Sequence, residues 1–279
     1  MNAWLENDWS ENKKVDQESI LVTGYQGFVG SRYWELYRGK QDLIGLEKGA
    51  AYKDYVSKLN SLVKLHKIKT IIHAGAISNN QHKNMEELKL WIYDATKEIV
   101  DHVKGIDGYL VYLSSASVLN PNTDYGKLKK KSERYIMNNL NSDQYCILRP
   151  YNVYGDTEWK KPYGTRSLYY MLKKESISEV WDTERDYIYV DDVCHLIGNC
   201  VNKKISGVYE VGTGKSVPAK VIVSVFKLAD TVKIIKTPKH IVKKSVSNKC
   251  NWVPGWSPMT NILDKISMHL GIFFGRVTR

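Results

Sequence analysis

From Ser19 to Thr23 the chain runs Ser-Ile-Leu-Val-Thr, then Gly24-Tyr25-Gln26-Gly27-Phe28-Val29-Gly30, then an apolar-periodic stretch closed by Gly39. This order constrains the fold more than any other feature. A short β-branched run of this kind suits a strand buried on both faces. The periodic run from Phe28 to Arg38 predicts a helix. Glycines between a strand and a helix permit a tight turn, close approach of backbone to a ligand, and close helix–strand packing. The helix start then offers its free N–H groups to an anion. Gly24, Gly27 and Gly30 are therefore expected under the pyrophosphate of a dinucleotide.

The rest of the first half repeats the alternation. Strands are expected at 43–46, 70–73, 109–113 and 145–148, and helices at 84–104 and 125–140. Strand–helix alternation predicts a doubly wound parallel sheet of Rossmann type. Beyond Pro150 the pattern weakens to strands at 187–190, 207–211 and 232–236 and helices at 191–202, 218–229 and from about 261. The expected organisation is a tail over 1–17, a dinucleotide-binding domain over 18–155 to which 187–205 returns, and a smaller substrate-binding lobe from 156–186 and 206–279.

The second strand ends at Glu47, 17 residues after Gly30. A carboxylate there accepts hydrogen bonds from an adenosine ribose and repels a 2′-phosphate, which points to NAD. Lys48 is adjacent and offsets that repulsion, so NADP stays open.

Tyr125 and Lys129 stand four apart, on one face of a helix. An ammonium beside a phenol favours the phenolate, bringing a pKa of ~10 toward neutrality and making a proton shuttle for a sugar hydroxyl. Tyr93/Lys97, Tyr169/Lys173 and Tyr170/Lys174 share the spacing. Only Tyr125 follows a strand that ends in Ser114-Ser115, at the edge where ligands of parallel sheets bind. Gly214-Lys215-Ser216 resembles the end of a P-loop, but the first glycine of that pattern would be residue 209, a tyrosine, so a surface turn is expected.

Jointly these segments resemble the extended short-chain dehydrogenase/reductase family, the nucleotide-sugar epimerase and dehydratase group. The likeness rests on the glycine-rich turn, Ile-Ile-His-Ala-Gly-Ala (71–76), Leu-Ser-Ser-Ala-Ser-Val (113–118) and Tyr-Gly-Lys-Leu-Lys (125–129). It continues through Leu-Arg-Pro-Tyr-Asn-Val-Tyr-Gly (148–155), Arg-Asp-Tyr-Ile-Tyr-Val-Asp-Asp-Val (185–193) and Gly-Val-Tyr-Glu-Val-Gly-Thr-Gly (207–214). The resemblance implies that Ser115 bonds the reacting hydroxyl, Tyr125 is the acid/base and Lys129 orients the nicotinamide ribose. It also implies that Gln26, Phe28, Val29, Ala74, Gly75, Ala76 and Pro150 line the cofactor. Asn152 and Arg185 fall where the family contacts the substrate's phosphates, a task suited to a guanidinium fork. Asp191 and Asp192 are expected to cap the helix that begins there.

Two departures matter. Ala116-Ser117 stands where dehydratases of the group carry Asp-Glu, which disfavours dehydration. Ile92 stands where the family has an asparagine. The 71–78 segment and Lys160-Lys161 resemble heptose 6-epimerases acting on ADP-sugars, which implies a second base at Lys161 or, less readily, Lys160; the alternative is two solvent lysines. The expected activity is therefore epimerisation of a nucleotide-sugar with NAD or NADP. The alternatives are a reductase of a keto nucleotide-sugar and a cofactor-sensing binding protein.

Composition narrows the partners. The net charge is +11, but the lysine pairs are scattered, with no basic–aromatic motif, so no nucleic-acid partner is expected. The four cysteines have no metal-ligand spacing, which predicts neither a disulfide scaffold nor a metal site. A polar N-terminus and the absence of a long apolar run predict no signal peptide, no membrane span and a cytoplasmic location. The helices at 84–104 and 125–140 are those through which family members form homodimers.

Overall fold

The computed structural model describes residues 18–49, 51–75, 77, 84–158, 167–174, 177–239 and 241–271. Ala76, Lys160, Lys161 and the 1–17 tail lie outside them.

The elements of the first half are β1 (Ser19–Thr23), α1 (Phe28–Tyr37), β2 (Leu43–Leu46), α2 (Tyr52–Leu65) and β3 (Ile68–His73). A continuous helical stretch follows, with α3 (Met85–Leu88), a π-helical turn (Lys89–Asp94) and α4 (Ala95–Gly105), and then β4 (Tyr109–Leu113), α5 (Asp124–Asn139) and β5 (Tyr145–Pro150). The second half holds β6 (Asn152–Tyr154), α6 (Leu168–Lys173), β7 (Glu179–Trp181), β8 (Glu184–Arg185), β9 (Tyr187–Tyr189), α7 (Val190–Lys203) and β10 (Gly207–Val211). It ends with β11 (Val217–Pro218), α8 (Ala219–Val225), β12 (Lys233–Ile235), β13 (Lys244–Ser245) and α9 (Ile262–His269).

The central sheet has six strands in the order β2-β1-β3-β4-β5-β10. The pairs β1–β2, β1–β3, β3–β4 and β4–β5 are all parallel. The Rossmann-type expectation holds. Strand order reverses at β1, which opens a crevice between the carboxyl ends of β1 and β3, the place where such sheets bind ligands.

Alternate strand residues separate the two faces. Leu21, Ile71, Leu110 and Ile147 join a cluster with Tyr55 and Leu59 of α2, Ile99 and Val103 of α4, and Ile136 of α5. On the other face α1 meets the C-terminal part of α7. A Cβ on Gly198 would stand 2.3 Å from the Tyr37 hydroxyl, so that helix contact requires glycine. Cys146 and Cys200 approach to 3.6 Å between sulfurs, and all four cysteines are free thiols.

The chain packs as two units. One comprises 18–149 and 194–209, the other 150–158, 167–193 and 210–271. These packing units do not coincide with the boundaries read from the sequence. β6 pairs with β9 in a separate two-stranded ladder, so 150–155 and 187–193 leave with the second unit. β10 edges the main sheet, and its Val208 packs on the first core, so 206–209 belong to the first unit rather than the lobe. The helix α2 was not expected between Glu47 and Thr70. The second unit is organised by buried Asp186, whose carboxylate accepts hydrogen bonds from the backbone and hydroxyl of both Thr213 and Ser247, and from the Gly214 amide.

Candidate active site

Gly24 adopts a φ of +67°, open to glycine at little cost. A Cβ there would lie 2.6 Å from the Gly75 Cα, so the turns that follow β1 and β3 touch at the switch point. A Cβ on Gly30 would lie 2.1 Å from the Gly24 carbonyl oxygen, so this glycine is required by packing alone. Gly27 differs. Its Cβ would meet only the Gly24 carbonyl oxygen, at 3.1 Å. Gly27 is the N-cap of α1, no side chain caps that end, and the first turn holds no acidic residue. An uncapped helix start beside a glycine is a fit for a phosphate. Of the three glycines, Gly24 and Gly30 are required by the turn itself, while a Cβ on Gly27 would meet no atom closer than 3.1 Å.

Glu47 follows β2, and its Oε1 accepts the Gln26 amide at 2.6 Å, which ties the acid to the glycine-rich turn. Burial raises its pKa, opposed by hydrogen bonds from the Gln26 and Lys48 amides. Phe28 is buried in the core, and the Val29 carbonyl receives the Cys194 thiol.

The catalytic candidates meet at the end of β4. Thr123 caps α5 through its hydroxyl, which sets Tyr125 in the first turn and Lys129 one turn later. Tyr125 is hydrogen-bonded to Ser115, which lowers its pKa, but burial dominates and holds the phenol up at about 12. The Ser115 hydroxyl also receives the Ser117 hydroxyl at 2.9 Å. Lys129 is buried and donates to the Leu113 carbonyl at 2.7 Å, with its ammonium 4.6 Å from the Tyr112 ring centre. Burial lowers its pKa to about 7 against the pull of Glu133. In this arrangement burial and Ser115 govern the Tyr125 phenol, and the Lys129 ammonium donates to the Leu113 carbonyl.

Sequence reasoning missed the layer beneath. Buried Glu133, four residues after Lys129, accepts the Ser114 hydroxyl at 2.5 Å and a two-point contact from Arg149, at 3.0 Å from Nε and 2.6 Å from Nη2. The i,i+4 spacing and an arginine before Pro150 were the available signals. His73 is the second omission. Thr96 donates to the Ile92 carbonyl at 2.6 Å, so its oxygen must accept from His73 Nε2 at 3.2 Å; Nδ1 then accepts from Thr23 at 2.6 Å. Burial, with Lys129 second, lowers the His73 pKa to about 3, so it is a neutral strut joining β1, β3 and α4. Ser132 of α5 also donates to the Ile92 carbonyl, at 3.1 Å, where the π-helical turn frees that group.

The remaining candidates behave differently. Asn152 donates both its backbone amide and its side-chain Nδ2 to the Asp186 carbonyl, each at 3.0 Å, so it joins β6 to β9. Arg185 uses Nη1 on the carbonyls of Glu184 and Lys243, at 3.0 and 3.2 Å, and remains partly exposed. Asp192 stands in the first turn of α7, and its carboxylate receives the amides of Met259 and Thr260. Tyr169 is a core residue: its hydroxyl and Lys173 both bind Asp156. Tyr93 packs edge-on against Tyr135. Gly214 turns at φ +70° and is tied to Asp186.

A parallel sheet with a glycine turn at its switch point and a Ser-Tyr-Lys group at the next strand end defines the short-chain dehydrogenase/reductase class. The model of the NAD dependent epimerase/dehydratase family matches residues 20–212, and the chain belongs to that family. ADP-L-glycero-D-manno-heptose-6-epimerase of Brachyspira hyodysenteriae is 27% identical over 261 residues, covering 75% of this chain and 82% of the relative. The crystal structure of the Helicobacter pylori enzyme of the same name superposes with a TM-score of 0.75 at 22% identity, over 93% of this chain and 97% of that one. UDP-glucose 4-epimerase of Thermus thermophilus, in complex with NAD, gives a TM-score of 0.75 at 18% identity, over 93% and 100%. Among the described residues no helix is long and apolar enough to cross a membrane, and no cluster of metal-ligating side chains occurs.

Proposed function

We propose that the chain is a nucleotide-sugar epimerase that uses a nicotinamide dinucleotide. The observation that carries this reading is the convergence of Ser115, Tyr125 and Lys129 at the end of β4, joined through Tyr112 and His73 to the glycine-rich turn after β1.

In this reading the uncapped start of α1, with Gly24, Gln26, Gly27, Phe28, Val29 and Gly30, holds the pyrophosphate. Glu47 holds the adenosine ribose. Ala74, Gly75 and Pro150 line the remainder, and Tyr125 and Lys129 hold the nicotinamide ribose. The bound dinucleotide supplies the hydride acceptor and donor. The chain's own work is orientation and proton transfer. Ser115 fixes the reacting hydroxyl. Tyr125 takes its proton on oxidation and returns it on reduction. A phenol at about 12 is an acid at neutral pH and a poor base. Lys129 is the group able to change that: once its ammonium leaves the Leu113 carbonyl for the ribose and the phenol, the phenolate is favoured. Arg185 serves the substrate diphosphate with the guanidinium N–H groups it does not spend on Glu184 and Lys243. NAD fits Glu47 better than NADP.

The test is turnover of a panel of ADP-, UDP- and dTDP-sugars, followed by separation of epimers. Epimer formation without net change in nicotinamide absorbance supports the reading. Stoichiometric consumption of NADPH with a keto-sugar makes the protein a reductase. Cofactor binding with no turnover across the panel makes it a binding protein.

A further inference from the structure

Lys48 follows Glu47 directly, so a free lysine at this position would reach for a phosphate on the adenosine ribose. In the structure its ammonium is held by the helical stretch that carries Glu87 and Trp91. Its Nζ lies 2.6 Å from Glu87 Oε1 and 5.0 Å from the centre of the Trp91 ring. Glu87 and Trp91 stand four apart on one continuous helical stretch, so a carboxylate and a π-face line a single slot for the ammonium. That helix start is anchored, because the Glu87 amide donates to Asn84 Oδ1 at 3.0 Å. Gly49, at φ +69°, turns the chain immediately after Lys48. The Lys48 amide, meanwhile, stays hydrogen-bonded to the Glu47 carboxylate. Backbone and side chain of Lys48 therefore serve opposite ends: the backbone fixes the ribose acid, and the side chain is led off to α3.

We propose that Glu87 is a specificity-determining residue that sets the preference for a free adenosine ribose over a 2′-phosphorylated one, by holding the Lys48 ammonium away from the position of that phosphate. This rests on the dinucleotide reading above. Glu47 alone repels a 2′-phosphate, but a neighbouring lysine at liberty would cancel that repulsion. The pair with Glu87 leaves Glu47 unopposed at the ribose. Lys58 of α2 acts on Glu47 more weakly than burial and the two amide hydrogen bonds and does not replace Lys48.

The experiment is titration calorimetry of NAD and NADP with wild type, Glu87→Gln, and Glu87→Gln/Lys48→Met. Glu87 is partly exposed, so the isosteric amide keeps the fold, and NAD affinity is expected to be unchanged. The ratio Kd(NADP)/Kd(NAD) is expected to fall by about 10-fold or more in Glu87→Gln, the worth of one charge-assisted contact to phosphate. Adding Lys48→Met should restore the wild-type ratio. An unchanged ratio in Glu87→Gln, with NAD bound by both proteins, overturns the clamp and leaves the site reading standing. A ratio that falls but is not restored by Lys48→Met overturns it too. Failure of the wild type to bind either dinucleotide overturns the site reading and the clamp with it.

Discussion

Replacing Lys129 by methionine should change how stability responds to pH, in a direction set by the burial of the ammonium. The lysine is 2% exposed, and its pKa drops from 10.5 to about 7 on folding. Between those values the unfolded chain binds the proton and the folded chain does not, so stability rises with pH. The penalty is full below pH 7 and gone above 10.5. Each pH unit inside the window is worth at most about 1.4 kcal/mol, so the contribution from pH 7.5 to 9 is roughly 2 kcal/mol. Buried thiols and phenols titrate differently in the two states at the upper end, so the quantity to measure is a difference. Urea unfolding of wild type and Lys129→Met should be compared at pH 7.5, 8.25 and 9 with matched m-values. The stability of Lys129→Met relative to wild type should decline by roughly 2 kcal/mol across that range. Parallel curves would refute the reasoning and show that the ammonium keeps its ordinary pKa in the fold.

Four further substitutions test the architecture and the glycine-rich turn. Gly30→Ala forces a Cβ to 2.1 Å from a backbone oxygen and should cost several kcal/mol of stability in urea, whereas Gly27→Ala should fold normally and lose dinucleotide affinity in calorimetry. Glu133→Ala leaves Arg149 and Ser114 without their buried partner and should destabilise by about 3–5 kcal/mol, measured by the shift in urea midpoint. Asp186→Ala strands the amides of Thr213 and Ser247 and should cost about 3 kcal/mol or more, with faster hydrogen exchange at those two amides as the local readout.

The strands of the main sheet were legible because each is a short apolar run bounded by turn residues; 43–46, 109–113 and 207–211 match residue for residue. The helix α2 carried its own signal in Tyr52, Tyr55, Val56, Leu59, Leu62 and Val63, although no element was expected there. The π-helical turn was not expected from the sequence; within it the Ile92 carbonyl accepts the hydroxyls of Thr96 and of Ser132 from α5. The Ser-Tyr-Lys spacing located the candidate site, yet it did not convey that burial outweighs charge there, because the desolvation of Tyr125 and Lys129 arises from chain segments far apart in sequence. The tie from Asp192 to the amides of Met259 and Thr260 was illegible for a similar reason, since those amides are 67 and 68 residues away.

The central claim is that an alcohol of a nucleotide-sugar is oxidised and re-reduced at Tyr125 without loss of its hydrogen to solvent. The most direct test is to run the epimerisation in D₂O with wild type and Tyr125→Phe and to measure deuterium at the inverted carbon by mass spectrometry. The account predicts inversion with no deuterium at that carbon for wild type, because the hydride leaves and returns within the site. It predicts a rate loss of about 100-fold or more for Tyr125→Phe, with dinucleotide affinity retained. Deuterium incorporated at the inverted carbon, or full activity in Tyr125→Phe, would contradict it.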